Sequence, residues 1–292
     1  MTLAPGARVV VIGAGTMGHG IAHVAAAAGY QVTLVDTTDD FVERGLSKVR
    51  ANLQGGIERG KLSEQARDET LARLRGETDL ETAARSADLV IEAVPERFDL
   101  KAGLFERVEA LAPDATILAS NTSSLSITEL QQRLARPERV LGLHFFNPVH
   151  IMQLVEVVRG LATDEAVVRA GVDFCTSLGR EPIVVNDAPG FASSRLGIAL
   201  GLEAMRMVEE GVASAADIDK AMELGYRHPM GPLRLTDLVG LDVRLDIARY
   251  LHDRLGGERF RPPAILERMV AEGKLGKKAG RGFYDWSAEK GA

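Results

Sequence analysis

Two residues in this sequence have types and placement suited to acid–base chemistry. His144 lies near the end of the apolar run Val140–Phe146, and Glu156 sits inside Leu154–Val158, twelve residues further on. A carboxylate within a β-branched run is costly unless it is charge-paired or well hydrogen-bonded. A lone strand histidine is ordinarily a satisfied core residue, and a lone strand acid an edge residue. Both together, on consecutive strands with a short connection, point instead to a His–Glu pair. An imidazole with an unperturbed pKa of about 6.5 can take a proton from a hydroxyl near neutral pH. A buried carboxylate on its other nitrogen fixes the tautomer and stabilises the imidazolium that forms.

A hydride acceptor is implied at the other end of the chain. Val9-Val10-Val11-Ile12 runs into Gly13-Ala14-Gly15-Thr16-Met17-Gly18, and a helix follows. Gly13 permits a tight turn, Gly15 lets the backbone approach a pyrophosphate, and Gly18 allows close helix–strand packing. The helix start, with Thr16 and Met17, offers free amides and positive dipole to phosphates. Asp36 ends the next strand, eighteen residues past Gly18, where a ribose-binding acid belongs. Its carboxylate would repel a 2′-phosphate, and Thr37-Thr38 follow in place of an arginine, which predicts NAD over NADP. The competing reading of Asp36 is an acid that only caps the next helix. With NAD beside a His–Glu base, the implied reaction is alcohol oxidation. No Cys/His cluster has ligand spacing, so no metal is expected. His19, His23, His150, His228 and His252 have no acidic partner in sequence and are assigned no role.

These residues need strands to carry them. Arg8–Gly13, Gln31–Asp36, Asp88–Val94, Thr116–Ser120, Val140–Phe146, Leu154–Val158 and Pro182–Asn186 read as strands separated by amphipathic helices, which predicts an α/β fold with a doubly wound, mostly parallel sheet. Ser126-Ile127-Thr128-Glu129 is a capping box. Between the second and third of these runs, a helical stripe (Val42, Leu46, Val49, Leu53, Ile57), a break at Gly60-Lys61-Leu62 and a second helix over Ala66–Leu74 predict a helical-hairpin insertion with a basic surface. After the turn Asp187-Ala188-Pro189-Gly190 the strand pattern stops, and five helical stretches follow from Pro189 to Gly273. The predicted division is a Rossmann-like NAD-binding domain over 1–187 and an all-α domain over 188–292.

Composition excludes several other classes. With 292 residues, 46% apolar and 26% charged, the chain is globular and long enough for two domains. Thirty-five basic against 41 acidic residues leave a net charge of −6, which gives no bulk attraction to nucleic acid. No apolar run approaches the ~18 residues of a membrane span, and Met1–Gly6 lacks the basic start and apolar stretch of a signal peptide. The single Cys175, on the apolar side of a helical stretch, suits a reducing compartment. A cytoplasmic protein without membrane or nucleic-acid partners is expected.

Over essentially its whole length the sequence resembles the L-3-hydroxyacyl-CoA dehydrogenases, of the short 3-hydroxybutyryl-CoA type. The resemblance rests on Gly13–Gly18, Ser120-Asn121-Thr122-Ser123-Ser124-Leu125, His144-Phe145-Phe146-Asn147-Pro148, Leu154–Val158, Asp187–Phe191, Met230-Gly231-Pro232 and Gly280-Arg281-Gly282-Phe283-Tyr284, in family order. It implies His144 as general base and Glu156 as its orienting partner. Ser123 would bind the substrate's 3-oxygen, Asn147 would line the same site, and Glu96 and Lys101 would contact the nicotinamide side of the cofactor. The hairpin, with Lys61, would bind coenzyme A, and the helical domain would close the site and form most of a homodimer interface. Ser194 departs from the pattern, standing where the family usually has an active-site asparagine; His150 for a usual proline and Gln153 for a usual lysine are smaller departures. Two other readings share the scaffold: a dehydrogenase of free hydroxy acids or sugar acids, and a non-catalytic NAD-binding protein.

Overall fold

The computed structural model describes residues 3–289; Met1 and Thr2 of the amino-terminal stretch considered above lie outside the described residues. The chain divides into two compact units, Met1–Ala188 and Pro189–Ala292.

In the first unit, β1 (Arg8–Ile12), α1 (Gly18–Ala27), β2 (Gln31–Val35), α2 (Asp39–Glu58), α3 (Glu64–Ala72) and β3 (Leu74–Glu77) form one half of the sheet and its cover. The other half follows as α4 (Leu80–Ala84), β4 (Leu89–Glu92), α5 (Phe98–Leu111), β5 (Ile117–Ser120), α6 (Ile127–Gln131), β6 (Val140–Phe145), β7 (Leu154–Arg159), α7 (Glu165–Ser177) and β8 (Glu181–Asn186). The eight strands lie in the order β3-β2-β1-β4-β5-β6-β7-β8. All neighbouring pairs are parallel except β6 and β7. The order reverses between β1 and β4, the switch point at which such sheets bind ligands beyond their strand ends. Val9, Val11, Ile91, Ile117 and Leu141 are fully enclosed, as the Val/Ile-rich runs of a doubly covered sheet require.

Two sequence expectations need correction. Leu74 belongs to β3 and not to the second hairpin helix, which ends at Ala72, and the sheet therefore has eight strands where seven runs were read. The run Leu-Arg-Gly-Glu is short and polar because β3 is an edge strand. Its Gly76 leaves room for α2, since a Cβ there would stand 2.3 Å from Cγ1 of Val42. The helix read over Ser214–Gly225 is α-helical only to Lys220 and continues as a π-turn over Ala221–Gly225. At the Ser126 cap, Oγ accepts from Glu129 N at 3.1 Å and donates to Asp187 Oδ2 at 2.6 Å.

The second unit contains α8 (Ser193–Glu209), α9 (Ala215–Lys220), α10 (Pro232–Val239), α11 (Leu241–Leu255) and α12 (Ala264–Ala271), packed around Ile198, Leu202, Met205, Leu233, Leu245 and Leu266. Its closing segment is tied down by one buried carboxylate. Asp237 accepts from Phe283 N, Tyr284 N and Trp286 Nε1 at 2.8–2.9 Å.

Candidate active site

The glycine turn has the shape a dinucleotide needs. Gly13 has φ +100°, and a Cβ there would meet Ala93 O at 2.7 Å; a Cβ on Gly18 would fall 1.6 Å from Gly13 O. At Gly15, by contrast, a Cβ would meet nothing within 4 Å, so the backbone lies open at the one position where a pyrophosphate must approach it. Thr16 is exposed and Met17 half-buried at the start of α1. Asp36 accepts from Ala14 N at 2.8 Å through Oδ2 and from Thr37 N at 2.7 Å through Oδ1. The carboxylate thus braces the turn, and its remaining lone pairs suit ribose hydroxyls. These residues fit NAD.

Beyond β4 and β5 lies a charged network whose members stand up to 32 residues apart in the chain. Lys101 is almost fully enclosed; its Nζ lies 2.6 Å from Glu92 Oε1, 3.1 Å from Glu96 Oε2 and 3.2 Å from Val94 O. Glu92 also accepts from Ser120 Oγ at 2.6 Å. Glu96 Oε1 accepts from Thr122 Oγ1, Ser123 N, Ser124 N and Ser124 Oγ. Burial alone would raise the Glu96 carboxyl, but Lys101 and these hydrogen bonds outweigh it and hold it below its ordinary value. Lys101, expected to contact the cofactor, is enclosed here by three oxygens of the protein itself. Ser123, whose N–H is thereby fixed, is half-buried, and its hydroxyl takes no hydrogen bond among the described residues.

His144 and Glu156 meet on the antiparallel pair β6–β7. They are direct partners in the register, and His144 Nδ1 stands 2.7 Å from Glu156 Oε2. Glu156 is fully buried and His144 nearly so. A carboxylate only accepts, so Nδ1 donates, and in a neutral imidazole with that tautomer Nε2 is the acceptor nitrogen. Asn121, in the loop after β5, accepts from Phe145 N at 2.9 Å and pins the strand beside the imidazole. Phe146 packs on that imidazole, with ring centres 4.5 Å apart. Asn147, next in the chain, is exposed.

Lys61 lines a cleft of about 900 Å³ on this unit, together with His23, Asn52, Arg59, His150 and Arg180. The rings of His23 and His150 stack 5.9 Å apart. Burial, then the charges of His150, His19 and Arg180, lowers the His23 pKa to about 4. The Nδ1 of His23 and the Nε of Arg180 are buried without hydrogen-bond partners. Neither histidine was given a role from sequence, because 127 residues of chain separate them and neither has an acid nearby. Ser194 belongs to the second unit and is half-buried on the first turn of α8. Cys175 is fully buried, and burial pushes its thiol up to about 12, which makes it inert.

Known proteins resemble this chain across both units. Residues 8–188 match the model of the 3-hydroxyacyl-CoA dehydrogenase NAD binding domain, and residues 190–286 match that family's C-terminal domain. The chain is 44% identical over 279 residues to a probable 3-hydroxybutyryl-CoA dehydrogenase of Bacillus subtilis, covering 96% of this chain and 97% of that one. It is equally identical over 285 residues to a 3-hydroxyadipyl-CoA dehydrogenase of Escherichia coli, covering 97% of this chain and 60% of that longer one. The crystal structure of the (S)-3-hydroxybutyryl-CoA dehydrogenase of Ralstonia eutropha superposes with a TM-score of 0.93 at 40% identity, covering 96% of this chain and 98% of that one. An open glycine turn on a doubly wound sheet, together with these matches across both units, makes the chain a member of the NAD-binding 3-hydroxyacyl-CoA dehydrogenase family.

Proposed function

We propose that this protein catalyses the reversible, NAD-dependent oxidation of an L-3-hydroxyacyl-CoA, such as 3-hydroxybutyryl-CoA, to the 3-oxoacyl-CoA, with His144 as general base and Glu156 as its orienting partner. The observation that carries this reading is the buried 2.7 Å contact between Nδ1 of His144 and Glu156, which selects the tautomer whose acceptor nitrogen is Nε2. When bound, NAD accepts the hydride from C3. His144 takes the hydroxyl proton as that hydride leaves, and Glu156 stabilises the resulting imidazolium. The hydroxyl of Ser123 binds the 3-oxygen, Asn147 lines the same site, and Ser194 is assigned to the acyl group. Gly13, Gly15, Thr16, Met17, Gly18 and Asp36 bind the cofactor, with Glu96, held in place by Lys101, on the nicotinamide side.

Recognition of the thioester's coenzyme A is assigned to the cleft at Lys61. Arg59, Lys61 and Arg180 supply positive charge there, which suits a diphosphate. The first unit is thus the NAD-binding domain, and the helical unit serves substrate binding and dimerisation. Leu196, Leu200, Leu235, Leu238, Val239 and Val243 of that unit are exposed, an apolar surface of the kind a homodimer covers. Among the described residues no helix is long and apolar enough to cross a membrane, and we assign the enzyme to the cytoplasm.

The test follows NADH oxidation by absorbance with acetoacetyl-CoA, with free acetoacetate and NADPH as controls. Turnover with the thioester and NADH, and little with either control, is expected. Equal turnover of the free acid would remove coenzyme A recognition and favour a free-acid dehydrogenase. Binding of NADH without any turnover would leave a non-catalytic NAD-binding protein.

A further inference from the structure

The cleft at Lys61 lies wholly within the first unit, and its charge is one-sided. His23 enters it from α1, Arg59 and Lys61 from the turn after α2, His150 from the loop between β6 and β7, and Arg180 from the turn between α7 and β8. Among the described residues no aspartate or glutamate lines it, in a chain that has 41 acidic residues against 35 basic ones. A concave surface with cations and no carboxylates draws anions. Packing explains how the two histidines meet. Gly20 and His23 share one face of α1, and a Cβ on Gly20 would stand 2.8 Å from Cβ of Val149. The glycine thus lets the loop after β6 settle on that face, and the His150 ring stacks on that of His23 with 5.9 Å between centres.

Nothing in the lining balances a further positive charge. Nδ1 of His23 and Nε of Arg180 are buried without hydrogen-bond partners. Burial, then the charges of His19, Arg59 and Arg180, holds the His150 imidazole below its ordinary value. His19, on α1, is in turn faced by Lys48 of α2. A phosphate beside the imidazole reverses this balance, because an opposite charge that close favours the protonated form by about ten- to a thousandfold. Two rings in this stack repel each other's charge, so one proton serves the pair. His150 takes it, since burial makes His23 the harder of the two to charge.

We propose that His150 binds a phosphate of coenzyme A as the imidazolium, taking a proton from solvent as the ligand enters the cleft, so that coenzyme A is held more tightly as pH falls. The assignment rests on the reading that this cleft recognises coenzyme A, and adds to it a proton-linked contact. Arg59, Lys61 and Arg180 supply charge at every pH of interest, and His23 stands against His150 as a neutral ring. Substrate and product thioesters carry the same coenzyme A, so the proton arrives with one and leaves with the other. It acts on binding and takes no part in hydride transfer.

The experiment titrates the whole enzyme with coenzyme A in a calorimeter, at about pH 6.5 and about pH 8.5, on either side of the expected proton uptake. The 3′-phosphate of coenzyme A titrates too, with a pKa of about 6. The quantity read is therefore the ratio of Kd values between variant and wild type, from which the ligand's own titration cancels. His150→Asn should weaken binding by about tenfold or more at the lower pH and by less than about threefold at the higher. His150→Lys, whose charge is constant over this range, should keep the affinity of the wild type at the lower pH and exceed it at the higher. A purely structural role would weaken binding by one factor at both pH values, and that result overturns the proposal. Should the variants fail to fold, the wild-type enzyme still decides. Titrations near pH 7.5 in buffers of different ionisation enthalpy should show net proton uptake per coenzyme A bound, since the 3′-phosphate is already ionised there. No uptake, or net release, overturns the proposal and leaves coenzyme A recognition by the cleft intact. No binding of coenzyme A by the wild type at either pH defeats both.

Discussion

His144 and Glu156 face each other directly across the antiparallel ladder of β6 and β7, with 2.7 Å between Nδ1 and Oε2. Direct cross-strand partners project from the same face of a sheet, so a slip of one residue in this register would turn one of the pair to the opposite face. With Glu156 fully buried, the imidazole N–H gives its carboxylate a hydrogen bond in place of lost water.

The pair should therefore behave as one device. His144→Gln is expected to lower kcat by about 10²–10⁴-fold, the usual worth of a general base, with NADH affinity close to wild type by fluorescence titration. Glu156→Gln should also lower kcat. The double variant should be little worse than the poorer single one, since residues acting as a unit are not additive. Independent, multiplying losses in the double variant would separate the two residues.

Asp36 is expected to set cofactor choice. Asp36→Ala removes the acceptor for Ala14 N and Thr37 N and the charge that repels a 2′-phosphate. The preference for NADH over NADPH, read as a ratio of kcat/KM values, should fall by about tenfold or more. An unchanged ratio would leave Asp36 only its part in bracing the turn.

Lys101 and Glu92 form an ion pair with almost no exposure. Lys101→Met leaves Glu92 buried and uncompensated, at a cost of about 3–5 kcal/mol in urea denaturation. Adding Glu92→Gln, which removes the charge, keeps an acceptor for Val94 N and turns an NH2 donor towards Ser120 Oγ, should restore part of that loss. No recovery in the double variant would mean that packing around the lysine stem dominates.

Acid should weaken the fold through His23. Its folded pKa of about 4, set by burial and then by His150, His19 and Arg180, lies below the ordinary histidine value of 6.5. Between those values the unfolded chain binds a proton that the folded chain refuses, so this contribution to stability is complete above about pH 6.5 and is lost as pH falls towards 4. The loss is at most on the order of 3 kcal/mol. His23→Gln should flatten the dependence of Tm on pH across that window; a parallel profile for both proteins would exclude His23 as its source.

Much of this architecture was legible in the chain because period and punctuation are local. Runs such as Val9–Ile12 and Val140–Phe145 declare doubly covered strands, and Gly13–Gly18 declares the turn that joins strand to helix. The edge strand β3 was not legible. Leu74-Arg-Gly-Glu77 has neither an apolar run nor alternation, and only its pairing with β2 and the pressure of Val42 on Gly76 make it a strand.

The sequence sufficed to propose a base, its carboxylate and a cofactor turn, since each proposal needs only particular residue types at short spacings on recognisable elements. Folding supplied the relations between residues far apart in the chain. These are the opposition of His144 to Glu156, the enclosure of Lys101 between Glu92 and Glu96, and the stacking of His23 on His150 across one cleft. Distance, burial and charge compensation depend on which surfaces the packed elements bring together, and no local pattern encodes that.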